Sequence, residues 1–339
     1  MRILLIMDPG IPVPPQLYGG HERLVALFAE EYRRLGHEVT LLAGPDSHIN
    51  GNVIAFGVND LGRSKKQRLK EVVFAWRWLY RRWADFDLIH NFGRLAYFLP
   101  LLNKPVKKIM TYGRPVSRRG IRLVNRLPNR ELVFTACSNY CVSTGDVAGR
   151  WKTVYNAIRF TDYQLQEQVD PSAPLIFLGR LDRIKGAHIA IQVAKATGRR
   201  LLLAGNIADD EAGKAYFESM IAPQIDQQDI IYLGPVNDEQ KNIYLGQASA
   251  LLFPISWDEP FGLVMIEANA CGTPVIAFHR GSVPEVIEPG INGVIVDTVE
   301  HMIAAVDVAV KMDRKRCRMR TEERFDIEKI ARDYLEPEL

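Results

Sequence analysis

Two successive series of short apolar runs, each alternating with amphipathic stretches, constrain the fold of this 339-residue chain more than any other feature. In the first half, strands are expected at 3–7, 39–43, 53–56, 88–90, 108–111 and 132–135, with a first helix over 20–35. In the second half they recur at 175–178, 201–203, 230–233, 250–253, 275–277 and 293–296, with helices between. A chain that crosses back through a helix after each strand re-enters its sheet in parallel, so this alternation yields doubly wound parallel sheets of the α/β class. Two series imply two Rossmann-like domains, 1–163 and 164–323, with the polar stretch 159–174 as the expected hinge. At 47% hydrophobic residues the chain is long enough to fill both cores.

The opening MRILLIMDPG carries five apolar residues between Arg2 and Asp8, too few for the apolar core of a signal peptide, and is read as the first buried strand. No run approaches the roughly 18 apolar residues of a membrane span. Cys137, Cys141, Cys271 and Cys317 show neither zinc spacing nor a dense framework, which suits reduced thiols in a cytoplasmic protein.

The stretch Ser256 to Phe278 sets Glu259 and Glu267 around a Phe261-Gly262 turn, with Leu263, Val264, Ile266 and Ala270 at helical spacing behind it. Backbone N–H groups from Gly262 to Val264 at that helix start favour a phosphate or a polar sugar. Either glutamate alone reads equally well as a solvated residue. A second element shifts the balance. In PLIFLGRLDRIKG a buried strand runs into Gly179-Arg180, and a loop with Lys185 and Gly186 leads to the next helix. Two cations at the C-terminal end of a strand are placed to hold a diphosphate in the crevice of an open α/β sheet. Carboxylates and cations together suit a nucleotide sugar, with hydroxyls next to phosphates.

These segments resemble the family-4 glycosyltransferases, retaining enzymes of the GT-B fold. GRLDRIKG is similar to that family's Gly-Arg-Leu-x-x-x-Lys-Gly loop, and DEPFGLVMIEANACGTPVIA to its Glu-x-Phe-Gly…Glu-Ala…Gly-Thr-Pro signature. RGSVPEVI resembles its next segment, with Ser282 where a second Gly is common, and PPQLYGGHERLV its N-terminal Gly-Gly loop. The resemblance covers most of the chain and is closer in the C-terminal half. It implies two domains with a cleft between them, and a final helix within 324–339 that crosses back to the first domain.

The resemblance also implies roles. Glu267 would bind ribose hydroxyls, Glu259 donor-sugar hydroxyls, and the backbone near Val236 the base. Gly19 and Gly20 would let the N-terminal loop approach the phosphates. Retention would proceed by front-face attack, the leaving phosphate taking the acceptor proton, without the carboxylate pair of a glycosidase. Arg180, Lys185 and the amides near Gly262 would stabilise the leaving diphosphate. No cofactor is expected beyond the nucleoside-diphosphate sugar as co-substrate, and no Asp-x-Asp cluster is read as holding a metal. In the N-terminal half, His90 stands at the end of a strand like the first His of a family His-x-His, whose second place is Phe92 here. Tyr112 occupies a position where the family often has a His touching the donor sugar, and Arg114 beside it suits an anionic group.

Charge is unevenly shared. Up to Tyr163 there are 25 Lys and Arg against 13 Asp and Glu, a net of +12, and beyond it 18 against 27, a net of −9. In SKKQRLKEVVFAWRWLYRRW, Leu69, Val72, Val73, Trp76, Leu79, Tyr80 and Trp83 keep helical spacing between Lys66, Lys70, Arg77 and Arg81. Such a helix either packs on its own domain or lies on an anionic membrane surface. The expected acceptor is a carbohydrate or a lipid-linked molecule, met at the inner face of the membrane. No nucleic-acid-binding motif accompanies the charge. A sugar-nucleotide 2-epimerase shares this architecture, and a non-catalytic nucleotide-sugar-binding protein would carry the same motifs.

Overall fold

The computed structural model describes residues 1–15, 19–145 and 148–336, and the chain divides into two compact units. Unit 1 comprises Met1–Ala157 with Ile327–Leu339, and unit 2 comprises Ile158–Asp326. The expected hinge is therefore mostly not a linker. Ile158 forms a parallel bridge with Asp326, and the Arg318 guanidinium donates to the carbonyls of Phe160 and Tyr163 at 2.8 Å each. Arg314 Nε holds the Gln166 carbonyl at 2.6 Å. These backbone groups would otherwise go unpaired against the surface of unit 2, so 158–166 is laid down on that unit and the change of unit falls at 157/158.

Unit 1 runs β1 (Arg2–Ile6), α1 (Gly20–Arg34), β2 (Glu38–Ala43), β3 (Asn52–Ala55), α2 (Lys65–Arg82), β4 (Leu88–Asn91), β5 (Lys107–Tyr112), α3 (Arg118–Asn125), β6 (Leu132–Ala136), α4 (Asn139–Gly145) and β7 (Trp151–Thr153). Its sheet is wholly parallel, in the order β3-β2-β1-β4-β5-β6-β7. The sequence gives no sign of β7. It is three half-buried residues on the sheet edge, with a lysine in the middle and no apolar run. The strand order reverses direction between β1 and β4, which opens a crevice at their carboxyl ends.

Unit 2 runs β8 (Leu175–Leu178), α5 (Ala187–Thr197), β9 (Leu201–Ala204), α6 (Glu211–Tyr216), β10 (Ile230–Gly234), α7 (Asp238–Gln247), β11 (Ala250–Phe253), α8 (Leu263–Ala270), β12 (Val275–Phe278), α9 (Val283–Val286), β13 (Gly293–Val296), α10 (Val299–Ala309) and α11 (Arg314–Phe325). The order is β10-β9-β8-β11-β12-β13, again parallel throughout, and the switch point lies between β8 and β11. Leu175, Phe177, Leu203, Leu252 and Ile276 pack against Ala190, Val193 and Met302.

The final helix is broken by extended backbone at Asp326, and α12 (Ile327–Leu335) belongs to unit 1. There Glu328 pairs with Arg34 of α1 at 2.6 Å, and Tyr334 meets Phe28 edge-on at 5.2 Å.

The apolar stripe expected on α2 is only partly an inward face. Ala75 and Leu79 are buried, and Trp76 Nε1 donates to the Ala96 carbonyl at 2.7 Å. Leu69 and Tyr80 instead stand 62% and 57% exposed, beside exposed Lys66, Lys70, Arg77 and Arg81. Among the described residues no helix is long and apolar enough to cross a membrane. All four cysteines are buried, and none is in a disulfide.

Candidate functional site

At the carboxyl end of β8 the chain passes through Gly179 and Arg180 into a tight turn that Asp182 organises. One Asp182 oxygen accepts the Lys185 backbone N–H at 3.0 Å, and the other accepts Arg180 Nε at 2.6 Å. The ammonium of Lys185 reaches across the switch point to Glu259 Oε2 at 2.5 Å. Trp257 Nε1 donates to the same oxygen at 2.9 Å, and its ring lies 5.1 Å from the ammonium. Lys185 is thus brought to Glu259, while Arg180 stays on Asp182 within its own turn, and both cations are committed to a carboxylate.

Behind Glu259 the loop turns into α8. Gly262 caps the helix with φ of +80°, in the left-handed region, and no side chain caps α8. The N–H groups of Leu263 and Val264 therefore have no intrahelical partner. Phe261 is buried against Phe325, with ring centroids 5.6 Å apart. Ser282 fixes the loop twice: its N–H donates to the Glu259 carbonyl at 2.9 Å and its hydroxyl to the Phe261 carbonyl at 3.0 Å. The serine at this position clamps the loop through a side-chain bond that glycine lacks.

Glu267 is the fifth residue of α8, a turn beyond the helix mouth where the sequence puts it. Its Oε1 accepts the Tyr163 hydroxyl at 3.0 Å and Lys241 Nζ at 2.6 Å. Burial opposes the charge on Lys241, but Glu267 and Asp238 together outweigh it and the ammonium's pKa is raised. Burial and then Glu267 push the Tyr163 hydroxyl well above the usual tyrosine range. Val236 lies in the loop between β10 and α7, the helix that carries Lys241. No local pattern singles out Asp182, Tyr163, Lys241 or Trp257, since each meets a partner distant in the chain or closes a local turn.

In unit 1, Gly19 is the N-cap of α1 and Gly20 its first residue. Tyr112 ends β5, buried, with its hydroxyl lacking a hydrogen-bond partner, and Arg114 is exposed just beyond. His90 does not reach a ligand site. It is fully buried, hydrogen-bonded to the Tyr32 hydroxyl at Nδ1 (3.1 Å) and the Thr111 hydroxyl at Nε2 (2.7 Å), and lies against Phe92 and Tyr334. Burial holds its pKa well below the ordinary histidine value. The imidazole is a core hydrogen-bonding group and not a catalytic one. The histidine at the crevice is His21, in the first turn of α1, whose Nε2 is buried with no hydrogen-bond partner among the described residues. Its place directly after Gly19-Gly20 was the available signal.

Asp85 and Asp87 do have Asp-x-Asp spacing, yet they precede β4 and pair with Arg82 (2.6 Å) and Arg2 (3.5 Å), away from the carboxyl ends of the strands. Among the described residues no group of three or more His, Cys, Asp or Glu is placed to hold a metal ion.

A family model for glycosyl transferases group 1 matches residues 164–324, and one for glycosyltransferase family 4 matches residues 18–143. An uncharacterized 41.2 kDa protein in the cps region of Klebsiella pneumoniae is 29% identical over 64% of this chain and 66% of its own length. A D-inositol 3-phosphate glycosyltransferase of Mycolicibacterium smegmatis is 35% identical over 36% of this chain, and the match spans only 28% of that protein. Among solved structures, Anabaena HepE in complex with UDP-glucose aligns over 99% of this chain and 98% of its own, with a TM-score of 0.73 at 20% identity. With the two parallel sheets and their two switch points, these matches establish that the chain belongs to the family-4 glycosyltransferases and has the GT-B fold.

Proposed function

We propose that the protein moves a sugar from a nucleoside-diphosphate sugar to an acceptor hydroxyl with retention of anomeric configuration, in the synthesis of a glycolipid, polysaccharide or other glycoconjugate. The observation that carries this reading is the meeting of Lys185 with Glu259 in the loop that leads into the uncapped start of α8. As the sugar–phosphate bond breaks, negative charge grows on the diphosphate, and fixed cations with helix amides stabilise it more than they stabilise the intact donor. Glu267, oriented by Tyr163 and Lys241, is set to receive ribose hydroxyls, and Glu259 those of the donor sugar. The UDP-glucose bound to HepE supports a nucleotide sugar as donor. Under this reading the protein acts in the cytoplasm. The exposed basic and apolar stripe of α2 makes peripheral contact with an anionic membrane.

The test is release of nucleoside diphosphate from a panel of UDP- and GDP-sugars in the presence of candidate acceptors, with NMR of the product. Retention of the donor's anomeric configuration is expected. A donor that binds but is never turned over with any acceptor would favour a binding protein. Conversion of the donor sugar to its 2-epimer would favour the epimerase.

A further inference from the structure

The crevice of unit 1 holds polar groups that the donor reading leaves unused. Loops after β1, β4 and β5 bring Asp8, Arg94 and Arg114 together with the first turn of α1 around a cavity of about 660 Å³. A second cavity of about 290 Å³, also lined by Tyr112, shares His21, Phe92, Arg94, Gly113 and Arg114 with the first.

Three features mark the chemistry of this space. Guanidinium groups prevail on the wall of the larger cavity, where Arg63, Arg68, Arg94 and Arg114 face only two carboxyls, Asp8 and Glu22. Of these, Asp8 is taken up by Arg94 Nε at 3.2 Å and the Tyr97 hydroxyl at 2.7 Å, and Arg63 pairs with buried Glu71 at 3.1 Å. Among the described residues Arg114 and Arg68 have no ion-pair partner. Burial pushes the Glu22 pKa upward.

The other two features are orphaned polar atoms. His21 Nε2 and the Tyr112 hydroxyl are both buried and have no hydrogen-bond partner among the described residues. A buried polar atom without a partner costs about 1–3 kcal/mol, so a ligand that bonds to it gains that much. The His21 ring lies over Gly113, where a side-chain Cβ would come within 2.8 Å of Nε2. Glycine at this position keeps the imidazole on the wall.

We propose that this cavity binds a phosphate ester on the acceptor, with Arg114 and Arg94 holding the anion and His21 and Tyr112 completing its hydrogen bonds. This rests on the transferase reading and adds the acceptor's chemical class. A guanidinium forks onto two phosphate oxygens, which a neutral polyol would not reward. The ester is either a small soluble phosphate or the head group of a lipid.

The test is calorimetric titration of the whole protein, first with UDP and then, at saturating UDP and constant ionic strength, with inorganic phosphate and glycerol 3-phosphate. UDP occupies the diphosphate site near Lys185, so the later heats report a second site. Wild type is expected to bind both phosphates. Arg114→Gln should weaken them about tenfold, with UDP affinity and melting temperature unchanged. Tyr112→Phe should weaken them about threefold, with UDP affinity unchanged and a melting temperature no lower than that of wild type. Vesicles containing phosphatidic acid form the other arm. Arg114-dependent binding confined to vesicles assigns the ester to a lipid, and dependence shared with glycerol 3-phosphate shows that the head group suffices. Binding of both phosphates and vesicles that is absent, or equal in wild type and Arg114→Gln, overturns the proposal. Failure of wild type to bind UDP or any other nucleoside diphosphate would instead count against the transferase reading.

Discussion

Lys185 and Glu259 stand 74 positions apart in the chain, yet their Nζ and Oε2 atoms meet at 2.5 Å, under the indole of Trp257. The cation is therefore positioned before any ligand arrives, and the carboxylate that positions it competes with the ligand for it. Pre-set charge of this kind costs little reorganisation when the diphosphate leaves.

Replacing Lys185 with Ala should lower kcat by about 100-fold or more while donor binding changes less, since its charge matters most in the transition state. In Glu259→Gln the ammonium loses its competitor. The free nucleoside diphosphate should then bind more tightly, even as turnover falls. Steady-state kinetics and titration with the diphosphate check both, and near-wild-type kcat in Lys185→Ala would remove the core of the mechanism.

Loss of Glu267 should act chiefly on binding. Glu267→Gln keeps the shape but gives up the charge that holds Lys241, so donor KM is expected to rise by more than kcat falls. Tyr163→Phe removes one hydrogen bond to a charged group and should weaken donor binding about tenfold. A kcat defect with unchanged KM in both variants would show that Glu267 does not anchor the donor.

Transfer should continue in excess EDTA. Under the proposed reading, Arg180, Lys185 and the α8 amides would supply the positive charge that a metal ion could otherwise provide. Complete loss on chelation, restored by Mg²⁺ or Mn²⁺, would reveal a metal requirement.

Acid should destabilise the protein through its buried imidazoles. Burial, then the charge of Arg114, lowers the His21 pKa to about 4, and burial lowers that of His90 as well. Between pH 6.5 and 4 the unfolded chain takes up protons on both groups while the folded chain does not. Stability is thus fully present above pH 6.5 and falls as pH drops toward 4. Melting temperatures measured across this range should decline, and His21→Phe should flatten the slope. An unchanged slope in that variant would show that His21 titrates normally.

Binding to vesicles should follow the exposed stripe of α2. Lys66, Lys70, Arg77 and Arg81 flank the exposed Leu69 and Tyr80, and each basic residue near an anionic membrane contributes about 1 kcal/mol, screened by salt. Wild type should pellet with phosphatidylglycerol vesicles at low ionic strength and be released by high salt. Replacing the four residues with Gln should weaken binding without lowering the melting temperature, because exposed charges contribute little to stability. Indifference of wild type to these vesicles at low salt would leave the stripe as a solvated face.

Local pattern carried most of the architecture. Ile3 to Met7, Leu175 to Leu178 and Ala250 to Phe253 are unbroken apolar runs of strand length, and a strand buried on both faces reads that way from sequence alone. The loops at Gly179 and Gly262 were legible because a sharp turn before a helix needs particular residues. β7 was not legible: its three residues form a strand only because β6 offers an edge to pair with.

The sequence by itself determined the two parallel sheets, the positions of their helices, and the residue types around the donor motifs, since these follow from periodicity and turn chemistry within a few residues. Only the tertiary structure decided which side chains meet. It turned His90 inward onto Tyr32 and Thr111 and put His21 at the crevice. It tied Lys185 to Glu259 and drew Lys241 and Tyr163 onto Glu267. Each of these contacts joins segments separated by 20 residues or more, or depends on which way a ring points. A side chain's burial and hydrogen-bond partners are set by the packing of whole elements, which no local pattern encodes.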